Sequence, residues 1–146
     1  MGARKRLMAE KLKEQRKNKA YAILRDLRMS PRKVRLIADL IRGLEVNEAL
    51  NILKFSTKHA SMPMEKLLVS AIANWQSKNP DAEMADLYVK EVYVDQSRTL
   101  KRIQPAPHGR AHRIRKRSSH VTIVVDTMEN LKKNNKEENN NKKEDK

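Results

Sequence analysis

The chain has 146 residues, with 33 Lys and Arg against 18 Asp and Glu, for a formal net charge of +15. It has no cysteine, which excludes disulfides and thiolate metal sites, and no apolar run approaches the ~20 residues that a membrane span needs. No apolar signal-peptide segment follows the basic N-terminus, so we expect a soluble, intracellular protein, and a pI near 10.2 indicates a polyanionic partner.

The basic charge is segregated along the chain. Residues 1–19 carry a net charge of +6, residues 20–43 carry +4 and residues 44–95 carry −3. Residues 96–125 carry +8 with no acidic residue, and residues 126–146 are neutral overall. A surface that serves solubility alone intersperses its signs. We therefore expect the fold to present its basic stretches as separate binding surfaces.

The N-terminal part of the chain begins with a basic segment and a short strand. Residues 1–19 are predicted to form a mobile basic arm, with a frayed helix as the alternative. Residues 20–27 follow as a strand in which Tyr21, Ile23 and Leu27 share one face.

Three amphipathic helices are predicted next. The first begins at Ser30 and Pro31, an N-cap residue followed by proline, and ends at Gly43. Its inward stripe consists of Val34, Ile37, Ala38 and Ile41. Its outward face carries Arg32, Arg35, Asp39 and Arg42. The same apolar spacing predicts a second helix over about 46–55 and a third that ends near Ser77.

A long β-hairpin is predicted over about 86–125. Residues 86–95 and 112–125 both have strand character, and the turn chemistry places the fold of the hairpin near Pro105 and Ala106. Odd positions of the second strand change from arginine at its start to valine and isoleucine at its end, so only the end should pack on the core. The distal hairpin should project from the body. The remaining residues, 127–146, are predicted to be disordered because they are almost entirely Asn, Lys and Glu.

The projecting hairpin favours an RNA partner. Uncompensated arginine repels itself in free solution and is neutralised by phosphates. Folded RNA offers deep irregular crevices, whereas a duplex DNA groove suits a short ribbon or a helix. The histidines of this region should hydrogen-bond RNA in their neutral form; they are His108, His112 and His120. A free RNA chaperone or DNA-architectural protein remains an alternative, and an RNA-cleaving enzyme using His108 and His120 is a more remote one.

Two stretches of the sequence carry a family resemblance. Residues 30–43 read SPRKVRLIADLIRG, and residues 100–125 read LKRIQPAPHGRAHRIRKRSSHVTIVV. Both closely resemble the L-twenty-two family of large-subunit ribosomal proteins of the bacterial type. SAIAN at residues 70–74 and YVD at residues 93–95 fit the same family in order and spacing. The resemblance covers roughly residues 20–126.

The resemblance implies an α+β fold, with three helices packed on a small three-stranded antiparallel sheet and a long projecting β-hairpin. It implies a non-enzymatic structural constituent of the large ribosomal subunit that binds rRNA and supports subunit assembly. The hairpin would run along the peptide exit tunnel, so the nascent peptide and neighbouring ribosomal proteins are expected partners, and macrolides are expected to bind nearby. No cofactor, metal, membrane or small-molecule substrate is expected.

The predicted site residues come from the motifs and from the basic stretches. The family's hairpin matches Lys101, Arg102, Gly109, Arg110, Arg113, Arg115, Lys116 and Arg117, and its SPRKVR motif matches Arg32, Lys33 and Arg35. The basic stretches and the histidines add Arg28, Arg42, Arg98, His108, His112 and His120 as rRNA-binding residues. A tunnel-facing tip is expected at Ile103, Gln104, Pro105, Ala106, Pro107 and His108, where the family is usually richer in arginine.

Overall fold

The computed structural model of the protein describes residues 2–80 and 87–127. It is an α+β fold, as predicted, but has four helices in the described ranges where three were expected. In chain order the elements are α1 (Gly2–Asn18), β1 (Ala20–Leu27), α2 (Pro31–Ile41), α3 (Val46–Phe55), α4 (Ser61–Gln76), β2 (Leu87–Gln96), β3 (Leu100–Pro105), β4 (Ala111–Lys116) and β5 (Ser119–Thr127).

The additional helix is α1, which occupies the segment expected to be an arm. Its apolar residues Leu7, Met8 and Leu12 are at least half exposed, so they add nothing to the core. An ion pair one turn apart, between Arg6 and Glu10 at 3.7 Å, is the kind of local contact that supports such a helix. The mobility of this segment stays a prediction.

The predicted C-terminal tail lies outside the described residues, except for its first member. Thr127 is the last residue of β5 and pairs with Leu87 of β2, so this residue belongs to the sheet.

The strand β1 is confirmed, with Tyr21 and Ile23 on one face as predicted, and that face is the outer one. Ala20 and Ala22 are buried, whereas Tyr21 and Ile23 are almost half exposed. The helix α4 packs along β1, and the small alanine side chains permit that close approach. A bulge with left-handed backbone at Asp26 (φ 55°) then restores an inward position farther along the strand.

The three predicted amphipathic helices are confirmed as α2, α3 and α4. They pack on one side of the sheet, and their buried stripes form a single core with the inward residues of the strands. Pro31 occupies the first turn of α2, and Gly43, at φ 80°, ends the helix in the left-handed conformation that glycine favours.

The three-stranded sheet has the order β1-β5-β2, so β5 is central, and all of its pairings are antiparallel. Val121, Ile123 and Val125 of β5 are buried, which confirms that this end of the predicted strand packs on the core. The predicted strand over 112–125 is two strands, because β4 and β5 are separated at Arg117 and Ser118.

The hairpin is confirmed in topology, but its turn lies about two residues beyond the expected position. Gln96 pairs with Ser119 and Pro105 with Ala111, which centres the turn on His108. A bulge at Lys90 shifts the register, and consecutive positive φ angles at His108 (60°) and Gly109 (69°) set the turn. Pro105 and Pro107 indicated the region of the turn, but the left-handed backbone of His108 and Gly109 determines where the turn is centred.

Candidate nucleic-acid interface

The distal part of the hairpin, residues 97–118, is here called the arm. It contains β3 and β4, which form a separate two-stranded sheet of six paired positions, roughly 20 Å long. Every residue of β3 is exposed, and in β4 only Ile114 is partly covered. The arm therefore has no core of its own, and its side chains are available to a partner along its whole length.

All the charged residues of the arm are basic. It carries eight Lys and Arg and no acidic residue, namely Arg98, Lys101, Arg102, Arg110, Arg113, Arg115, Lys116 and Arg117. The pairing places Lys101 opposite Arg115 and Arg102 opposite Ile114, so both faces of the ribbon carry positive charge. Within the described part of the chain, none of the eight forms an ion pair. Like charges at this density are stabilised by a polyanion.

The predicted tip is divided between a strand and a turn. Ile103, Gln104 and Pro105 belong to β3, and Ile103, which is 71% exposed, pairs with Arg113. The turn itself is closed by Ala106, whose N–H donates to the Arg110 carbonyl at 2.9 Å. The end of the arm consequently includes Arg110, a positive charge that the predicted tip did not contain.

A polar cluster, called here the root cluster, holds the base of the arm and consists of Asp26, Ser97 and His120. His120 Nδ1 accepts a hydrogen bond from the Asp26 backbone N–H at 3.1 Å, and the Ser97 hydroxyl donates to the Asp26 carboxylate. His120 Nε2 lies 4.0 Å from the same carboxylate. The fold thus ties β1 to the two points where the arm leaves the sheet.

His120 has a structural contact within the root cluster. Its side chain is 35% exposed and engages Asp26, while its predicted contact with RNA stays a prediction. Sequence reasoning found no carboxylate near the hairpin histidines, because Asp26 is 94 residues away along the chain. His108 lies in the turn at the opposite end of β3 and β4, so the fold does not bring these two histidines together as a catalytic pair.

Two predicted RNA-binding arginines, Arg35 of α2 and Arg42 directly after it, also make contacts within the protein. The guanidinium of Arg35 donates to the carbonyl of Val94 at 2.9 and 3.3 Å, and that of Arg42 donates to the carbonyl of Val92 at 3.2 Å. Arg42 also pairs with Asp39 at 2.9 Å. Because β2 is an edge strand, these bonds satisfy carbonyls that have no neighbouring strand. They anchor α2 to the sheet, while both side chains keep an exposed surface.

The start of α2 carries a more open basic surface. Arg32 and Lys33 are exposed and make no side-chain hydrogen bond or ion pair within the described ranges. Two clefts meet beside them, and both are lined by Arg28 and Ser30. One extends toward the loop between α3 and α4, and the other toward the root of the arm.

Sequence reasoning missed the contribution of the α3–α4 loop. Lys58 and His59 line the first cleft, although they belong to the stretch of the sequence with net negative charge. Only the packing of that loop against the start of α2 brings them into the basic surface. No local motif in the sequence signals it.

No group of three or more metal-ligating side chains occurs in the described ranges, and no helix there is long and apolar enough to cross a membrane. The basic surface consists of the arm, the start of α2 and the loop that follows α3. Its lysine and arginine side chains are suited to binding phosphates.

Comparisons with known proteins agree over most of the chain. The family described as "Ribosomal protein L22p/L17e" matches residues 22–126. The chain is 61% identical to "Large ribosomal subunit protein uL22" of Christiangramia forsetii over 132 residues, which are 89% of this chain and 98% of that protein. Proteins of the same name from Flavobacterium psychrophilum (57%, covering 89% and 96%) and Flavobacterium johnsoniae (56%, covering 92% and 99%) are also similar.

Proposed function

Because the chain belongs to the ribosomal protein L22p/L17e family and is a structural constituent of the large ribosomal subunit, we propose that it binds large-subunit rRNA through the arm and the basic start of α2. Its place in the cytoplasm follows from that of the bacterial large subunit. The family is one of structural proteins, so the RNA-cleaving alternative is not retained.

A single observation supports this proposal most strongly. The arm is an exposed two-stranded ribbon with eight positive charges, no negative charge and no core. Alone in water such a ribbon buries little apolar surface, and the repulsion between its positive charges destabilises it. Phosphates would neutralise it on both faces at once, with release of their counterions. Folded rRNA provides phosphates on several sides of a crevice.

Association with subunits tests the proposal. A tagged copy expressed in place of the native chain should sediment with large subunits and stay bound in moderate salt, as a constituent of the subunit does. A free RNA chaperone, the second candidate, would spread across the gradient and dissociate as the salt concentration rises. Sedimentation away from large subunits would contradict the proposed function.

The end of the arm supports a finer proposal, that it lines the passage of the nascent peptide. Beyond the last core position of β2, Val94, the arm extends through a further pair of strands, which is enough to separate its end from the body. Pro105 and Pro107 lack backbone N–H groups, so the backbone of this end offers few donors to a moving peptide. The body and the root would support subunit assembly, and neighbouring ribosomal proteins would contact the body.

A shortened arm tests this finer proposal. Replacing residues 105–111 with Asn-Gly joins the paired residues Gln104 and His112 through a tight turn and leaves the rest of the register intact. Large subunits should still form, but macrolide susceptibility or stalling on particular nascent peptides should change. Normal subunits with unchanged drug and stalling behaviour would place the end of the arm outside the tunnel wall. Loss of subunits would assign it to assembly instead.

A further inference from the structure

We propose that an unpaired segment of rRNA lies across the start of α2, in a groove formed by the two clefts that meet at Arg28 and Ser30. This inference rests on the proposed function and adds a binding site that the body and the root of the arm form together. The groove, called here the α2 groove, contains Lys58 and His59, which neither the motifs nor the family resemblance indicated.

The shape of the α2 groove suits single nucleotides. Its two clefts have volumes of about 580 and 540 Å³, and each lies within the range of roughly 300–1,000 Å³ that is typical of small-molecule sites. A duplex presents a convex surface of phosphates and could not enter either cleft. An unpaired strand can turn its bases outward and place one of them in a hollow.

The charge of the groove suits a phosphate backbone. No Asp or Glu lines either cleft, whereas basic residues come from four separate parts of the chain. They are Arg28 before α2, Lys33 in α2, Lys58 in the α3–α4 loop and Arg115, Lys116 and Arg117 at the root of the arm. None of them forms an ion pair within the part of the chain that the structure describes. A strand crossing the groove would therefore meet positive charge throughout.

The loop that supplies Lys58 is held in place before any ligand arrives. The Ser61 N–H donates to the Lys58 carbonyl at 2.9 Å, and the Ser61 hydroxyl donates to the same carbonyl at 2.7 Å. The Lys58 N–H in turn donates to the Ser56 hydroxyl at 3.4 Å. Ser61 is buried, so these bonds lie on the protein side of the loop. A preorganised loop loses little entropy when it binds.

Apolar side chains in the first cleft favour an unstacked base over a second row of phosphates. Leu36 is 64% exposed although it lines the cleft, and Met29 and Ala60 lie in the same wall. Leu36 is within reach of a base that has left its stack, and covering an exposed leucine removes apolar surface from water. A paired base would keep its faces covered and would gain nothing from this wall.

The first test compares charges inside and outside the groove. Full-length protein is titrated with an unpaired oligouridylate and with an A·U RNA duplex of equal length at several salt concentrations. Lys33→Gln with Lys58→Gln should lower the slope of log affinity against log salt for the oligouridylate by about 1.4, at roughly 0.7 per phosphate of a single strand. Lys54→Gln with Lys66→Gln removes the same charge from exposed helix positions outside the groove and should change the slope much less.

The second test concerns the base. Leu36→Asn should weaken binding of the oligouridylate about threefold to tenfold and leave the duplex unaffected. Leu40→Asn, one turn farther along α2 and 54% exposed, does not line the groove and should change neither affinity. Circular dichroism melting curves of all four variants should match the wild type, since every altered side chain is exposed.

The outcomes separate this inference from the proposed function. If the groove variants behave as their controls do while the protein still enters large subunits, the α2 groove does not hold an unpaired strand and the arm alone explains binding. Equal weakening of oligouridylate and duplex by Leu36→Asn would also overturn the inference. Failure of the wild type to associate with large subunits would overturn the proposed function itself.

Discussion

Replacing Arg113, Arg115 and Arg117 with glutamine should weaken rRNA binding strongly without unfolding the protein. The first two lie in β4 and the third in the link between β4 and β5. All three are exposed, and none makes an ion pair within the described part of the chain. Their removal therefore deletes contacts with a partner, while the thermal stability of the free protein should stay the same or rise as self-repulsion falls.

The magnitude follows from counterion release. Each lost phosphate contact should reduce the slope of log affinity against log salt by about 0.7 to 0.9, so three contacts reduce it by roughly 2 to 3. The same relation, applied at 0.15 M salt relative to 1 M, gives a loss of affinity of about 100-fold.

The assay is a filter-binding or anisotropy titration of the protein with large-subunit rRNA across a series of salt concentrations. A control variant removes three positive charges from exposed body positions outside the arm and the α2 groove, namely Arg25, Lys54 and Lys66. The control should bind almost as the wild type does. An unchanged slope in the arm variant, or an equal change in the control, would refute the assignment of the arm as the main RNA contact.

Further predictions concern the body and the turn. Burial of Ile123 in the central strand predicts that Ile123→Ala lowers the free energy of unfolding by about 3–4 kcal/mol in urea titrations. Gly109→Ala, at φ 69°, should cost about 1 kcal/mol in the turn and speed hydrogen exchange of the arm about fivefold. The hydrogen bond to Asp126 raises the pKa of Lys90 above its ordinary 10.5, so this pair stabilises the fold below that pH and loses its effect as pH rises through the folded-state pKa. Lys90→Met should accordingly be about 1 kcal/mol less stable at pH 8, with the difference disappearing in strong alkali. Deletion of residues 128–146 should leave thermal melting and subunit incorporation unchanged, and failure to enter subunits would show specific contacts.

The helices could be predicted from sequence because local signals agreed. In α2 the proline of the first turn, the apolar spacing and Gly43 all specified the same boundaries, and packing then followed the stripe. β1 shows where this approach fails. The alternation placed Tyr21 and Ile23 on one face but did not show which face is inward, because the close approach of α4 to the alanine face is a property of the packed pair and of neither segment alone.

The candidate site divides in the same way. The arm was predictable because its charge is contiguous in sequence, and only its turn was misplaced, by a bulge and by the left-handed His108. The root cluster and the α2 groove were not predictable, since Asp26 and Lys58 reach their partners only through the tertiary fold. A run of like charges in the sequence indicates what kind of partner a protein binds. A site made of single residues that are distant in sequence depends on how the chain packs.

One crosslinking measurement tests the central claim most directly. One variant would carry a photoreactive residue at His112, which is exposed in β4, so that no Lys or Arg of the arm is replaced. The second variant would carry it at Val69, which is half exposed on α4. Large subunits isolated in moderate salt should contain both variants. The variant labelled in the arm should crosslink to large-subunit rRNA more efficiently than the variant labelled in α4. An arm position that gives no rRNA crosslink in intact subunits would contradict the account.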